Sequence, residues 1–158
     1  HVLSRRQRQM CIRDRLREML RRELDLMAPS LARIGKNSVI IKDEIDRPIA
    51  HARLSARWNG YEINSFVIDP AHRGKGISHE LLNRCGGGRL FAYTRDSRLQ
   101  SALLSAGFEK VRTPGLVALL SVMASRANSV LWMVILLEFS RLKHQLTNLL
   151  RYELFVRE

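Results

Sequence analysis

The stretch VIDPAHRGKGISHELL, residues 67–82, restricts this chain more than any other. A short apolar strand runs into Pro70, a basic loop punctuated by Gly74 and Gly76 follows, and Ile77, Leu81 and Leu82 then recur at helical spacing. The order is therefore strand, loop, helix N-terminus. Glycines at 74 and 76 permit backbone angles that other residues resist, and they let main-chain N–H groups approach a ligand. The first turn of the helix carries N–H groups without intrahelical partners, at the positive end of the helix dipole. With Arg73 and Lys75 beside it, such a turn suits a diphosphate. An ordinary glycine-rich turn with solvated charges would read the same way on the loop alone.

Two better-known phosphate loops do not fit. The stretch has no Gly-x-Gly-x-x-Gly and no Gly-Lys-Ser/Thr ending, which argues against a Rossmann dinucleotide site and an ATP-type P-loop. What it resembles is the acetyl-coenzyme A signature of the GNAT N-acetyltransferase superfamily, Arg/Gln-x-x-Gly-x-Gly/Ala after a strand ending in Val-x-Pro. Here Arg73, Gly76 and Ser78 hold the signature positions, with serine in place of the last small residue, and Val67 and Pro70 precede them. The resemblance runs from about Asn37 to Phe108 and includes Ala106-Gly107-Phe108, where the family closes its next helix. It implies an α/β (mixed α+β) fold of the GNAT acyl-CoA N-acyltransferase type, a central mixed sheet flanked by helices. It further implies acetyl-coenzyme A as acyl donor, a small-molecule amine or a protein amino group as acceptor, and donor contacts at Phe66, Val67, Ile68, Arg73, Gly74, Lys75, Gly76, Ile77 and Ser78. Packing in the core explains Phe66 and Ile68 equally well.

The flanking sequence agrees with such a sheet. Ser38–Lys42 is rich in β-branched residues, and Ile49–Arg57 alternates small or apolar with polar residues. Asn59-Gly60 is a strong hairpin signal and returns the chain into the strand at 61–68. After the break at Gly86–Gly88, residues 90–94 read as a strand. Asp96 is a plausible N-cap for a helix over Ser97–Ala106, stopped by Gly107. Further upstream, the apolar residues Leu24, Met27, Leu31 and Ile34 suggest a helix that Gly35 ends.

A net charge of +12 over 158 residues invites a nucleic-acid reading. Its distribution argues against one: residues 1–22 hold eight arginines against Asp14 and Glu18, with no aromatic residue among them to stack bases. The chain starts with His1, and residues 5–15 read like a translated sequencing adapter, so residues 1–15 are set aside here as one would an expression scar. On that reading residues 1–22 are a basic segment, residues 23–158 the GNAT-like domain, and the natural N-terminus with the first strand is missing. The alternative is a real helix from Arg13 to Leu26, since Leu16, Leu20 and Leu24 recur every four residues. Cys11 and Cys85 form no disulfide framework and no metal-ligand spacing, and the five histidines do not cluster, so no metal is expected. Cys85 reads as a buried cysteine before a reactive one. With no secretory signal, the expected compartment is cytoplasmic.

Residues 116–123 and 130–137 are nearly continuous apolar runs, long enough together to raise a membrane span. Arg126 and Asn128 divide them, and a central arginine is costly in hydrocarbon. Two short helices inserted at 114–148 and covering the sheet fit better, with an apolar surface suited to a homodimer contact. Residues 152–157 alternate like a closing strand.

Acyl transfer to an amine needs a neutral amine, alignment, a donor for the carbonyl oxygen and a proton for the thiolate. Glu62, eleven residues before Arg73, stands where some family members carry a general-base glutamate; as a plain strand residue it reads as a solvated carboxylate or an ion-pair partner. Asn64, two residues on, falls on the same face of a regular strand and would orient a water or the substrate. The N–H near Val67 is the expected oxyanion donor. Family members often hold a tyrosine where this chain has Leu103, which leaves Tyr93, a water or alignment alone to serve the thiolate. Two other function classes stay open: a non-catalytic acyl-CoA-binding module and, behind it, a basic nucleic-acid-binding domain.

Overall fold

The computed structural model describes residues 5–21, 23, 26, 34–112, 116–137, 139–148 and 151–158. In chain order they form α1 (Arg5–Arg21), β1 (Ser38–Lys42), β2 (Pro48–Arg57), β3 (Gly60–Ile68), α2 (Ile77–Arg84), β4 (Leu90–Thr94), α3 (Ser97–Ser105), β5 (Glu109–Val111), α4 (Leu116–Ile135), α5 (Phe139–Thr147) and β6 (Glu153–Arg157). The helix expected between Leu24 and Ile34 lies largely outside the described residues.

The strands make one mixed sheet in the order β1-β2-β3-β4-β6-β5. Neighbours are antiparallel except β3 and β4, which run parallel. This is the expected α/β architecture of a GNAT acyltransferase fold. The closing strand β6 inserts between β4 and the three-residue β5, an element too short to show a period in the sequence.

One face of the sheet carries the larger core, with Ile63 of β3, Ile77, Leu81 and Leu82 of α2, and Leu103 of α3 buried together. On the other face Leu16, Met19 and Leu20 of α1 pack with Val67. Leu16 and Leu20, four residues apart, thus bury one face of α1 against the sheet. Arg15, set aside above with the first fifteen residues, bonds the buried carboxylate of Asp69 directly behind β3.

Two local details depart from the periodic reading. The β2–β3 hairpin turns on Trp58 and Asn59, one residue earlier than the Asn59-Gly60 signal suggests, because Arg57 pairs with Gly60. Gly60 is needed elsewhere: its φ is 153°, and a Cβ there would stand 2.4 Å from the Arg89 carbonyl oxygen. Second, Arg53 pairs with Ser65 and Leu54 with Ile63, so Asn64 is an extra residue bulged out of the ladder. The bulge resets the alternation. Ile63, Phe66 and Ile68 all join the α2 side, while the Asn64 amide donates to Ser55, the cross-strand partner of Glu62, and so lies on the Glu62 face.

Residues 116–147 form two helices as expected, but α4 is a single helix of 20 residues that runs through Arg126 and Asn128. It packs in part against β2 and buries Met133, and leaves Leu120, Met123, Leu131 and Ile135 exposed. Among the described residues, no helix is long and apolar enough to cross a membrane.

Candidate active site

Where β3 and β4 run side by side, three residue pairs form: Tyr61 with Leu90, Glu62 with Phe91 and Ile63 with Ala92. Pairing then stops. From Asn64 onward the strands diverge, and the bulge falls at the point of divergence. A pocket of about 90 Å³ lies in the opening, lined by Asn64, Ser65, Phe66, Tyr93, Thr94 and Tyr152 among others. A larger groove of about 320 Å³ continues from it along Phe66, Val67 and Ile68 to Arg73, Gly74, Ile77 and Ser78, with α3 on its far side.

The hydrogen-bond phase of β3 decides which main-chain groups face this groove. The Asp69 N–H donates to the Ile49 carbonyl at 2.8 Å, and main-chain groups of successive strand residues alternate between the two edges. Val67 therefore faces β2 with its N–H and carbonyl, and its side chain packs on α1. Phe66 and Ile68 present theirs to the open edge, where the Arg73 Nε–H already donates to the Ile68 carbonyl at 3.2 Å. Near Val67 it is thus the main-chain groups of its neighbours that face the opening, a matter of ladder phase that periodicity alone does not reveal.

At the far end of the groove the loop takes the shape its glycines allow. Gly74 and Gly76 hold φ of 78° and 75°, and Gly76 caps α2 with no side chain in the way. The first helical bond there runs from the Glu80 N–H to the Gly76 carbonyl, which leaves the N–H groups of Ile77, Ser78 and His79 outside the helical ladder. Of the six loop residues expected at the donor, Arg73, Gly74, Ile77 and Ser78 line the groove; Lys75 and Gly76 shape or flank the turn and do not. Pro70 opens a short 3-10 turn ahead of the loop, capped by Asp69 through the Ala71 N–H at 3.1 Å. Burial works to raise the Asp69 pKa, but that N–H and Arg15 outweigh it and hold the carboxyl below its ordinary value.

Glu62 sits one pair below the opening. It is 2% exposed, and its Oε2 accepts from both Nε, at 2.9 Å, and Nη2 of Arg57. Of its two readings, the ion-pair partner is the one this geometry displays, and its side chain lines neither the pocket nor the groove. Tyr93 and Leu103 both line the pocket. The Oδ1 of Asn64 and the Oγ of Ser65 are buried there without a protein partner, while the Asn64 Nδ2 donates to Ser55 Oγ at 2.6 Å.

Three groups come to the site that the sequence did not single out. Arg98 lines the groove from the start of α3, where its N–H and guanidinium bond the N-cap Asp96 and hold that carboxyl below its usual range. His72 lines it from the turn. Glu23 lines both cavities and bonds Arg73 at 2.6 Å. An arginine two residues after a capping aspartate was a visible signal for Arg98; nothing local marks Glu23. Cys85 is buried, and burial pushes its thiol up to about 11, so it is no nucleophile. Among the described residues no three of His, Cys, Asp and Glu gather as metal ligands.

A known sequence family and a solved structure resemble this chain. The sequence pattern of the Acetyltransferase (GNAT) family matches residues 8–85, from α1 through the end of α2. The fold is similar to that of N-acetylglutamate synthase from Neisseria gonorrhoeae, solved in complex with coenzyme A and N-acetyl-glutamate, at a TM-score of 0.52 and 17% identity. That alignment covers 99% of this chain and 33% of the other, so the chain spans about a third of the synthase's length. No curated protein sequence matches significantly.

Proposed function

This chain belongs to the GNAT acetyltransferase superfamily, and from that premise we propose that it moves an acetyl group from acetyl-coenzyme A to an amine by direct transfer. The observation that carries the proposal is the parting of β3 and β4 after Ile63 and Ala92, with an anion-binding loop at the end of the resulting groove. A diphosphate on the N–H groups opening α2, gripped by Arg73 and Arg98, leaves the groove along Phe66 and Ile68 for the pantetheine arm. That arm is itself a chain of amides, and it adds to the open edge of β3 as another strand would.

The thioester then reaches the pocket beside Asn64 and Tyr93. Its carbonyl oxygen takes an N–H from the open edge, at Phe66 or Ile68, and the amine meets the unpartnered oxygens of Asn64 and Ser65. Alignment of amine and thioester supplies the largest part of the acceleration, on the order of 7–11 kcal/mol. Tyr93 is the proposed proton donor to the departing thiolate. Glu62 enters as a general base only through an intervening water, because its own carboxylate is bonded to Arg57. The small pocket supports a small-molecule amine, as does the N-acetyl-glutamate held by the structurally similar synthase.

The test begins with thermal melts, with and without acetyl-coenzyme A, of the parent and of Gly76→Glu. Ligand at about a hundred times its dissociation constant stabilises by roughly 2.7 kcal/mol. A shift in the parent, lost in a folded Gly76→Glu variant, supports the donor site; no shift in a cooperatively melting parent overturns it. The locked Glu62 carboxylate also favours a second reading, a module that binds acyl-coenzyme A without turnover. Release of free coenzyme A on mixing with an amine panel separates the two, and Tyr93→Phe should slow that release about a hundredfold.

A further inference from the structure

Two carboxylates among the described residues line both cavities and bond a groove arginine: Asp96, held as the N-cap of α3 beside Arg98, and Glu23, which meets Arg73 from a separate segment. Its carboxylate accepts from the Arg73 Nη2–H at 2.6 Å, and the field of Arg98 also reaches it. The Glu23 carboxylate thus stands on one of the cations that the donor's diphosphate would use, and no helix cap fixes it there as the α3 N-cap fixes Asp96. Glu23 and the diphosphate do not share that place: like charges a few ångströms apart repel, and the diphosphate brings more charge to the same arginines. When the donor enters, the carboxylate has the other cavity to turn to, the acceptor pocket.

The backbone under Glu23 is built to stay while its side chain turns. Arg141 of α5 is 3% exposed and donates to the carbonyls of Leu20 at 3.3 Å, Leu26 at 2.9 Å and Glu23 itself. Gln145 adds a bond to the Leu26 carbonyl at 3.1 Å. An arginine on three carbonyls of a segment that leaves a helix completes the bonding the helix end lacks. The Glu23 side chain, about a third exposed, is held by Arg73 alone among the described residues.

We propose that Glu23 is the carboxylate that receives the acceptor's ammonium group, and that it is freed for this role when the donor's diphosphate draws Arg73 away. This rests on the donor-site reading above and adds an order to it. An alkylamine titrates at about 10.4, as a free lysine side chain does, and so arrives mostly as the cation; a freed carboxylate in the pocket attracts it. Before the donor binds, the same carboxylate is neutralised by Arg73 and attracts the amine weakly. Donor first, acceptor second, is then a property of one shared ion pair.

Isothermal titration with coenzyme A, then with n-butylamine at pH 7.5 in its presence and absence, tests this on the full chain. Glu23→Gln should bind coenzyme A about threefold to fivefold more tightly than the parent, since an internal competitor worth up to about 1 kcal/mol is gone. A merely structural role would weaken binding or leave it unchanged. The parent should bind n-butylamine at least several-fold more tightly when loaded with coenzyme A, and Glu23→Gln should lose that gain. Unchanged or weaker coenzyme A binding in folded Glu23→Gln, or equal amine binding by the loaded and unloaded parent, overturns the exchange. Absence of coenzyme A binding in the parent overturns the donor site itself, and the exchange with it.

Discussion

Two carboxylate–arginine pairs stand on either side of the place where β3 and β4 part, and they share a chemistry but little else. Glu62 and Arg57 lie on the closed side, their side chains 3% and 10% exposed, within two strands that the hairpin keeps together. Glu23 and Arg73 lie on the open side, each about a third exposed, on segments fifty residues apart. In the first pair each charge has lost its water and depends on the other. In the second, water or a ligand replaces either partner at little cost. Burial, more than the pairing itself, decides whether an ion pair is a rivet or a switch.

The sharpest way to break the comparison is to remove one member of each pair and follow the melt. Glu62→Ala strands a buried guanidinium and should cost about 3–5 kcal/mol; a loss below about 1 kcal/mol would place Arg57 in contact with water after all. Acid is the next largest probe, acting on a buried group of β2 opposite Val67. His51 is buried on β2, and burial, reinforced by Arg53, pulls its pKa from 6.5 down to about 4. The unfolded chain therefore binds a proton that the folded chain refuses between those values. Stability from this residue is intact above pH 6.5 and is lost as pH falls toward 4, by about 3 kcal/mol in all. Denaturant melts at pH 7.5 and 4.5 measure it, and His51→Leu should flatten the difference. Asp69 and Asp96, whose pKa values are lowered, add their losses only below the ordinary carboxylate range and so do not obscure that window.

Smaller effects belong to the open side. Asp96→Ala removes the cap of α3, at a cost of about 1 kcal/mol in the melt. Glu23→Gln should move the melting free energy by less than about 1 kcal/mol while changing ligand affinity. A large stability loss there would make the second pair a rivet too.

What the residue pattern determines on its own is the frame. β-branched runs, turn signals and the apolar spacing of Ile77, Leu81 and Leu82 are local properties, and they place β1 to β4, α2 and α3 nearly to the residue. The glycine loop before α2 is legible for the same reason, since a glycine needed at positive φ is needed by its own backbone. Tertiary structure decided the rest. Whether Val67 or its neighbours face the groove depends on ladder phase and on the bulge at Asn64, which exist only once β2 is paired. Glu62 became a sealed ion pair because the hairpin brings Arg57 over it, and its carboxylate was as ready for a base as for a partner until then. Glu23 meets Arg73 across fifty residues because α5 holds its carbonyl from the far end of the chain. Local energies are written residue by residue; a charge's role is set by what the fold places within a few ångströms of it, where Coulomb energy and lost hydration are both largest.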